Sequence, residues 1–382
     1  MNRLRIMLPV AVLVALTGFL VAGYVTHNKP VAWNGSAETL DAHIEGWASE
    51  GPIPGVLLHI QQGETVHYSN AAGALSKNGQ TPLMPMMPFH TASVGKLFTA
   101  VTVLRLHERG ILNIDEAAAA YLGEGFMEGL VVIDGEDYGK EITIRHLLSH
   151  YSGIGDSGEA LQFSIDILMT PKRRWTSDEL VDNARRVAPI ARPGRQQSYS
   201  SSGYYILGKI IEAATGAPYH TIVRREVFQP LRMVNTFEAT QEWNGREETF
   251  HHYVGWFDLS KHDPSFEFAD GGFVTNASDL VLFGQAVVSG DLFDNAATNE
   301  AFIAPYPGAE PRDKYIGLGP FVSKESNGRI AISHSGYWGV FFIVYPETNT
   351  VAVMALGQWR AKLAQFWSEA RDLAAASFPQ AF

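Results

Sequence analysis

The chain contains no cysteine. That absence excludes disulfides, thiolate catalysis, iron–sulfur ligation and lipid attachment through an N-terminal cysteine. Histidine is present, with 13 residues, so a metal site must be judged by spacing. His146 and His150 stand four apart, as on one helical face, but Leu147, Leu148 and Ser149 lie between them and the glutamate of an H-E-x-x-H motif is missing. His251 and His252 are adjacent, with no third ligand evident in the sequence around them. These histidines are read as structural, and no metal or cofactor is expected. The chain also lacks a lysine or arginine run that could track a phosphate backbone. With 29 basic and 40 acidic side chains the formal charge is -11, and nucleic acid is not an expected partner. The pattern G-x-S-x-G of an α/β-hydrolase nucleophile elbow does not occur around Ser93. Internal repeats and low-complexity tracts are missing too.

What is present is an ordinary globular composition, 46% hydrophobic and 18% charged over 382 residues. That length allows one large core or two cooperating lobes, since a single core stops growing at about 250–300 residues. At the N-terminus, Asn2, Arg3 and Arg5 precede an apolar stretch from Ile6 to Val25. Residues 1–28 are read as a secretory signal peptide or an N-terminal membrane anchor. The stretch is close to the roughly 20 residues a spanning helix needs, while Val21-Ala22-Gly23 offers small residues for a signal peptidase. Both readings place the rest of the chain outside the cytoplasm, periplasmic or extracellular, with a membrane tether through residues 6–25 in the second. Residues 29–36 read as a linker and 37–382 as the folded domain.

Within that domain the two ends are β-prone and the middle is helical. Gly55 to Ile60 and Thr65 to Ser69 flank Gln61-Gln62-Gly63-Glu64, a hairpin signal. Arg329 to Ser333, Gly339 to Val344 and Thr350 to Ala355 follow near the other end, the last two separated by the turn Pro346-Glu347-Thr348-Asn349. Between them, Val94 to Arg109 and Tyr205 to Ala214 carry helical periodicity, and Thr176 with Glu179 forms a capping box. A short amphipathic helix over Glu38 to Trp47 and a final helix from Arg360 complete the pattern. The expected fold is α/β of the α+β type. An antiparallel sheet built from both chain ends is flanked by helices, with a mainly helical lobe inserted over about 97–290.

Ser93-Val94-Gly95-Lys96 is the first candidate for chemistry. A hydroxyl is a weak nucleophile at neutral pH and needs a base within hydrogen-bond reach. Three residues on, Lys96 shares a helical face with Ser93. Alone, the spacing is as consistent with a solvated lysine on an ordinary helix. Its neighbours decide the matter. Phe89-His90-Thr91-Ala92-Ser93-Val94-Gly95-Lys96-Leu97-Phe98 resembles the active-serine segment of the class C β-lactamase and D-alanyl-D-alanine carboxypeptidase family, part of the penicillin-binding serine hydrolases. Ile142 to His150 with Ser152-Gly153-Ile154 is similar to another of its segments. Tyr199-Ser200-Ser201 resembles its second catalytic motif, usually Tyr-x-Asn, and His334-Ser335-Gly336 stands where the family carries Lys-Thr-Gly or His-x-Gly. Pro230-Leu231, and Gly271-Gly272 with Ala277-Ser278-Asp279-Leu280, match two structural segments. The matches run in order from about residue 40 to about residue 355.

The resemblance implies an acyl-enzyme on Ser93, with Lys96 as base or proton relay and Tyr199 as second relay. It also implies an inner strand at His334-Ser335-Gly336 and an oxyanion hole from the backbone N–H groups of Ser93 and Tyr337. Two departures bear on substrate. Ser201 replaces the usual asparagine, and His334 replaces the lysine of dedicated class C β-lactamases. Histidine is mostly neutral at pH 7, so its pull on a substrate carboxylate is weak. The expected activity is therefore that of an esterase or carboxypeptidase-like enzyme on a small-molecule ester, peptide or cell-wall fragment, with at most weak β-lactamase activity. Loops 155–175 and 240–268 are expected to set substrate choice, and oligomeric state stays open. A catalytically silent binding protein of the cell envelope is the alternative, and a metallohydrolase is a more distant one.

Overall fold

The computed structural model describes residues 35–50, 53–243, 248–325, 327–359 and 361–382. Residues 1–28, expected to be a signal peptide or membrane anchor, and most of the expected linker 29–36 lie outside the described residues. Among the described residues no helix is long and apolar enough to cross a membrane.

Seven strands form one sheet: β1 (Gly55–Gln62), β2 (Thr65–Gly73), β3 (Lys314–Ile316), β4 (Phe321–Lys324), β5 (Ile330–Gly336), β6 (Val340–Tyr345) and β7 (Thr350–Ala355). Their order is β3-β4-β5-β6-β7-β1-β2, with every pairing antiparallel. The ends of the chain meet where β1 pairs with β7, Leu57 opposite Ala355 and Gln62 opposite Thr350. Side chains alternate across the pleat. In β7, Val351, Val353 and Ala355 join the larger core while Ala352 and Met354 join a second cluster on the opposite face. In β1, Leu57 goes to the first and Val56, Leu58 and Ile60 to the second. With both faces covered, these strands read as unbroken apolar runs.

The helices include α1 (Leu40–Glu50), α2 (Lys96–Glu108), α3 (Ser177–Ala184), α4 (Ser201–Thr215), α5 (Ala277–Ser289) and α6 (Leu363–Ser377). Helices α1 and α6 cover one face of the sheet, with Trp47 edge-on to Phe366 at 5.4 Å. Helix α5 lies close on the other face, where a Cβ on Gly284 would come within 2.7 Å of Val351. Helix α2 is buried along nearly its whole length, from Lys96 through Leu104. An all-round buried helix belongs in the centre of a domain, and this one carries the candidate lysine at its first residue.

The sequence expectations and the observed elements differ mainly at boundaries. Thr350–Ala355 is a strand as expected, and the hairpin strands extend to Gln62 and Gly73. Both bonds of the Thr176–Glu179 capping box are made at the start of α3. Helix α4 begins at Ser201, earlier than the apolar period suggests, because Ser201, Ser202 and Gly203 are themselves buried in its first turn. Helix α2 starts at Lys96 rather than Val94, after a single 3-10 turn over Ala92–Gly95. Strands β3 and β4 have no clear signal in the sequence. They are short, and Gly317-Leu318-Gly319-Pro320 interrupts the run between them.

Candidate active site

Ser93 lies on the 3-10 turn that feeds α2, and two glycines from distant parts of the chain hold that turn. A Cβ on Gly271 would sit 2.2 Å from the Ala92 carbonyl oxygen, and one on Gly336 would sit 2.5 Å from that of Thr91 and 3.2 Å from the Ala92 Cβ. Neither position accepts a side chain without moving backbone. Thr91 ties the turn further, its Oγ1 donating to the Gly271 carbonyl at 2.8 Å and its N–H to the Phe273 carbonyl at 2.9 Å. Clamped in this way, Ala92 adopts φ 43°, the left-handed region that non-glycine residues rarely enter. Such strain persists only where the surroundings over-determine it.

Lys96 projects from the first position of α2 and is fully buried. Its Nζ donates to Ser93 Oγ at 3.0 Å and to Ser201 Oγ at 3.4 Å, and it forms an ion pair with Asp270. The ammonium also lies over the rings of Tyr199, 4.9 Å from the centroid, and Tyr204, at 5.4 Å. Burial pushes the Lys96 pKa down to about 7, against the upward pull of Asp156 and Glu267. Tyr199 shifts the other way. Burial holds its phenol well above the usual range, although a hydrogen bond with Ser93 acts to lower it. Near neutral pH the site therefore offers an amine that can be free and a phenol that keeps its proton.

Tyr199 is positioned by His150, whose ring stacks on it with centroids 4.5 Å apart. His150 follows the short helix Ile144–Leu148 with φ 60° and is buried and neutral, its Nδ1 accepting from the Ser200 N–H at 3.0 Å. His146 caps the same helix through Thr143 and meets Tyr306 Oη at 2.9 Å. Among the described residues no group of three or more histidine, aspartate or glutamate side chains is arranged to hold a metal.

Two clefts meet at Ser93, Tyr199 and Tyr337. The more open one continues past Phe321, Ser335 and Gly336 to Trp359 and Leu363. The other runs past Ser201 toward Asp156, Phe163, Leu168 and Glu267. The residues named from the sequence thus gather at one place, His334 from behind the wall, its ring centroid 6.2 Å from that of Tyr199. His334 on β5 is fully buried, stacked on Phe321 with centroids 4.6 Å apart, and is absent from the walls of both clefts. Its Nδ1 lies 2.9 Å from the Ser335 carbonyl, and burial lowers its pKa to about 3. It brings no positive charge to the site.

Sequence reasoning misses the acidic wall. Asp156 Oδ1 accepts from the N–H groups of Gly158 at 2.9 Å and Ser201 at 3.2 Å. Glu267 accepts from the indole N–H of Trp338. Asp156 and Glu267 fall inside the loops expected to choose substrate, and Asp270 directly precedes the Gly271-Gly272 segment. An acidic residue beside a motif glycine is the available signal.

The β-lactamase family model matches residues 40–376. Penicillin-binding protein 4* of Bacillus subtilis is 26% identical over 74% of this chain and 63% of its own length. Penicillin-binding protein 4 of Amycolatopsis lactamdurans is 30% identical over 51% and 47%. The chain thus spans about half to three-fifths of the length of these relatives. Among solved structures, a D-stereospecific amidohydrolase from Streptomyces superposes with a TM-score of 0.75 at 24% identity, covering 90% of this chain and 98% of that one. D-amino acid amidase from Ochrobactrum anthropi does so with 0.72 at 22%, covering 88% and 99%. These two share the fold. Because the family model spans the sheet, α2 and α4 alike, the chain belongs to the β-lactamase family.

Proposed function

We propose that the protein is an exported serine hydrolase that forms an acyl-enzyme on Ser93 and cleaves an ester or a D-amino-acid amide. The observation that carries this reading is the 3.0 Å contact between Ser93 Oγ and a fully buried amine whose pKa is brought to about 7. A base with its pKa near the working pH is best matched to take a proton during attack. In acylation Ser93 Oγ attacks the substrate carbonyl carbon and its proton passes to Lys96. The tetrahedral oxyanion is held by backbone N–H groups beside Ser93 and Tyr337, where loss of one donor typically costs about 3–4 kcal/mol. Tyr199, hydrogen-bonded to Ser93 and holding its proton, hands a proton to the leaving group and recovers one from Lys96. Water then repeats the path in reverse. Dedicated β-lactamase activity is not expected, because His334 is neutral and lines neither cleft.

The test is intact-protein and peptide mass spectrometry after treatment with a fluorophosphonate. A single adduct on Ser93 is expected. A protein that folds yet takes no label would point instead to a silent binding role. Export rests on residues 1–28, and an activity fusion at the C-terminus is expected to report from outside the cytoplasm. A fusion active only inside the cell removes export from the proposal.

A further inference from the structure

Lys96 has more acidic neighbours than its single charge requires. Asp156 and Glu267 both pull on its ammonium, yet the carboxylate in direct contact with it is that of Asp270. Lys96 Nζ also donates to the Asp270 carbonyl oxygen at 3.5 Å. Asp270 lies on the short helix Phe268–Gly271, whose first residue, Phe268, adopts φ 37°. This strained backbone is held in place where Gly271 packs against Ala92 of the nucleophile turn, which fixes Asp270 beside Ser93. Its side chain is not closed off. Oδ1 is buried on Lys96, but the side chain keeps 14% exposure on the wall of the inner cleft, the one beyond Ser201, and this leaves Oδ2 for the cleft. Of the two clefts that open on Ser93, Tyr199 lines both and Asp270 only the inner one.

We infer that Asp270 is the general base of the second half-reaction, taking a proton from the water that releases the acyl group from Ser93. The inference rests on the hydrolase reading above and gives its two halves different bases, instead of a plain reversal of the first. A planar ester presents two faces. The leaving group, protonated by Tyr199, departs through the more open cleft past Tyr337 and Trp359. A water held on Asp270 Oδ2 meets the ester from the inner cleft and does not wait for that departure path to clear. The water oxygen bonds to the acyl carbon while its proton passes to Asp270. As the bond from that carbon to Ser93 Oγ breaks, Lys96 gives Oγ a proton across their 3.0 Å contact and takes one from Asp270. The free acid leaves, and Asp270 and Lys96 end protonated as they began. In the first half Asp270 has no such part, since the proton of Ser93 passes directly to Lys96.

The experiment uses p-nitrophenyl butyrate, whose nitrophenolate reports the first half and whose butyryl group stays on Ser93 until the second. Asp270→Asn should release about one equivalent of nitrophenolate in a burst, then turn over about a hundredfold or more slower than wild type, the contribution of a positioned base. Mass spectrometry of the quenched variant should find the butyryl group on Ser93. Hydroxylamine, a strong neutral nucleophile that needs no base, should restore turnover by carrying the acyl group away. Turnover within a few-fold of wild type, or a slow variant with no butyryl group on Ser93, overturns the inference and leaves the hydrolase reading standing. Fluorophosphonate labelling of Ser93 shows that the variant is assembled. If Asp270→Asn takes no label, Asp270→Ser is read in the same way. Loss of labelling in both makes Asp270 part of the fold or of the first half, and overturns the inference too. If the wild type cleaves no ester and takes no label, the hydrolase reading fails and the inference with it.

Discussion

Ser93→Ala is expected to lower ester hydrolysis by about six orders of magnitude, the scale seen when a nucleophile acting as part of a unit is removed. The fold should hardly notice. Lys96 keeps its ion pair with Asp270 and its contact with Ser201, and the turn is held through Thr91, Gly271 and Gly336 rather than through the hydroxyl. The melting temperature should therefore move by less than about 3 °C, corresponding to about 1 kcal/mol in a chain of this size. Paired assays of turnover and thermal unfolding check both halves. Turnover within a few-fold of wild type would refute the acyl-enzyme mechanism outright.

Lys96→Ala and Tyr199→Phe should each slow acylation by about 10²–10⁴-fold, the usual contribution of a positioned acid or base. The double mutant should be little worse than the poorer single, since proton relays fail as a unit. Losses that simply add would remove Tyr199 from the relay. The pH profile supplies the sign. Lys96 acts as the free amine, so wild-type kcat/KM should rise with pH through an apparent pKa near 7, set chiefly by burial of the ammonium. Tyr199→Phe should keep that rise, because the phenol is not the group titrating there. A profile flat from pH 5.5 to 8.5 would mean that Lys96 is not the base.

Much of this architecture is legible in the sequence because it rests on local chemistry. The turn residues Pro346 to Asn349, the Thr176–Glu179 box and the apolar run Thr350 to Ala355 act through nearest neighbours, and each folds as its residues dictate. The Ser93–Lys96 spacing is local in the same sense. The functions of Asp156, Glu267 and Trp338 depend on which loops fold toward one another across the cleft, and no periodicity records that. His334 illustrates the opposite problem. Its place in the motif order suggests contact with substrate, but it is buried, with Phe321 stacked on it from β4, a strand too short to announce itself. The substitution His334→Lys, which motif comparison alone would favour for gaining β-lactam recognition, would place a second ammonium in that buried space near Lys96.

The contact between the turn at Ala92 and Gly336 also has a consequence in time. Half of the clamp that sets the angle of Ser93 is made late, from the end of β5, which joins β1 only through β6 and β7. A chain emerging from its N-terminus therefore carries its serine and lysine long before it carries the strand that aims them. Until that last quarter has folded back, the turn that holds φ 43° at Ala92 has only the Gly271 and Phe273 half of its clamp. A chain truncated before β5 is therefore expected to carry Ser93 and Lys96 without the Gly336 contact that completes the turn.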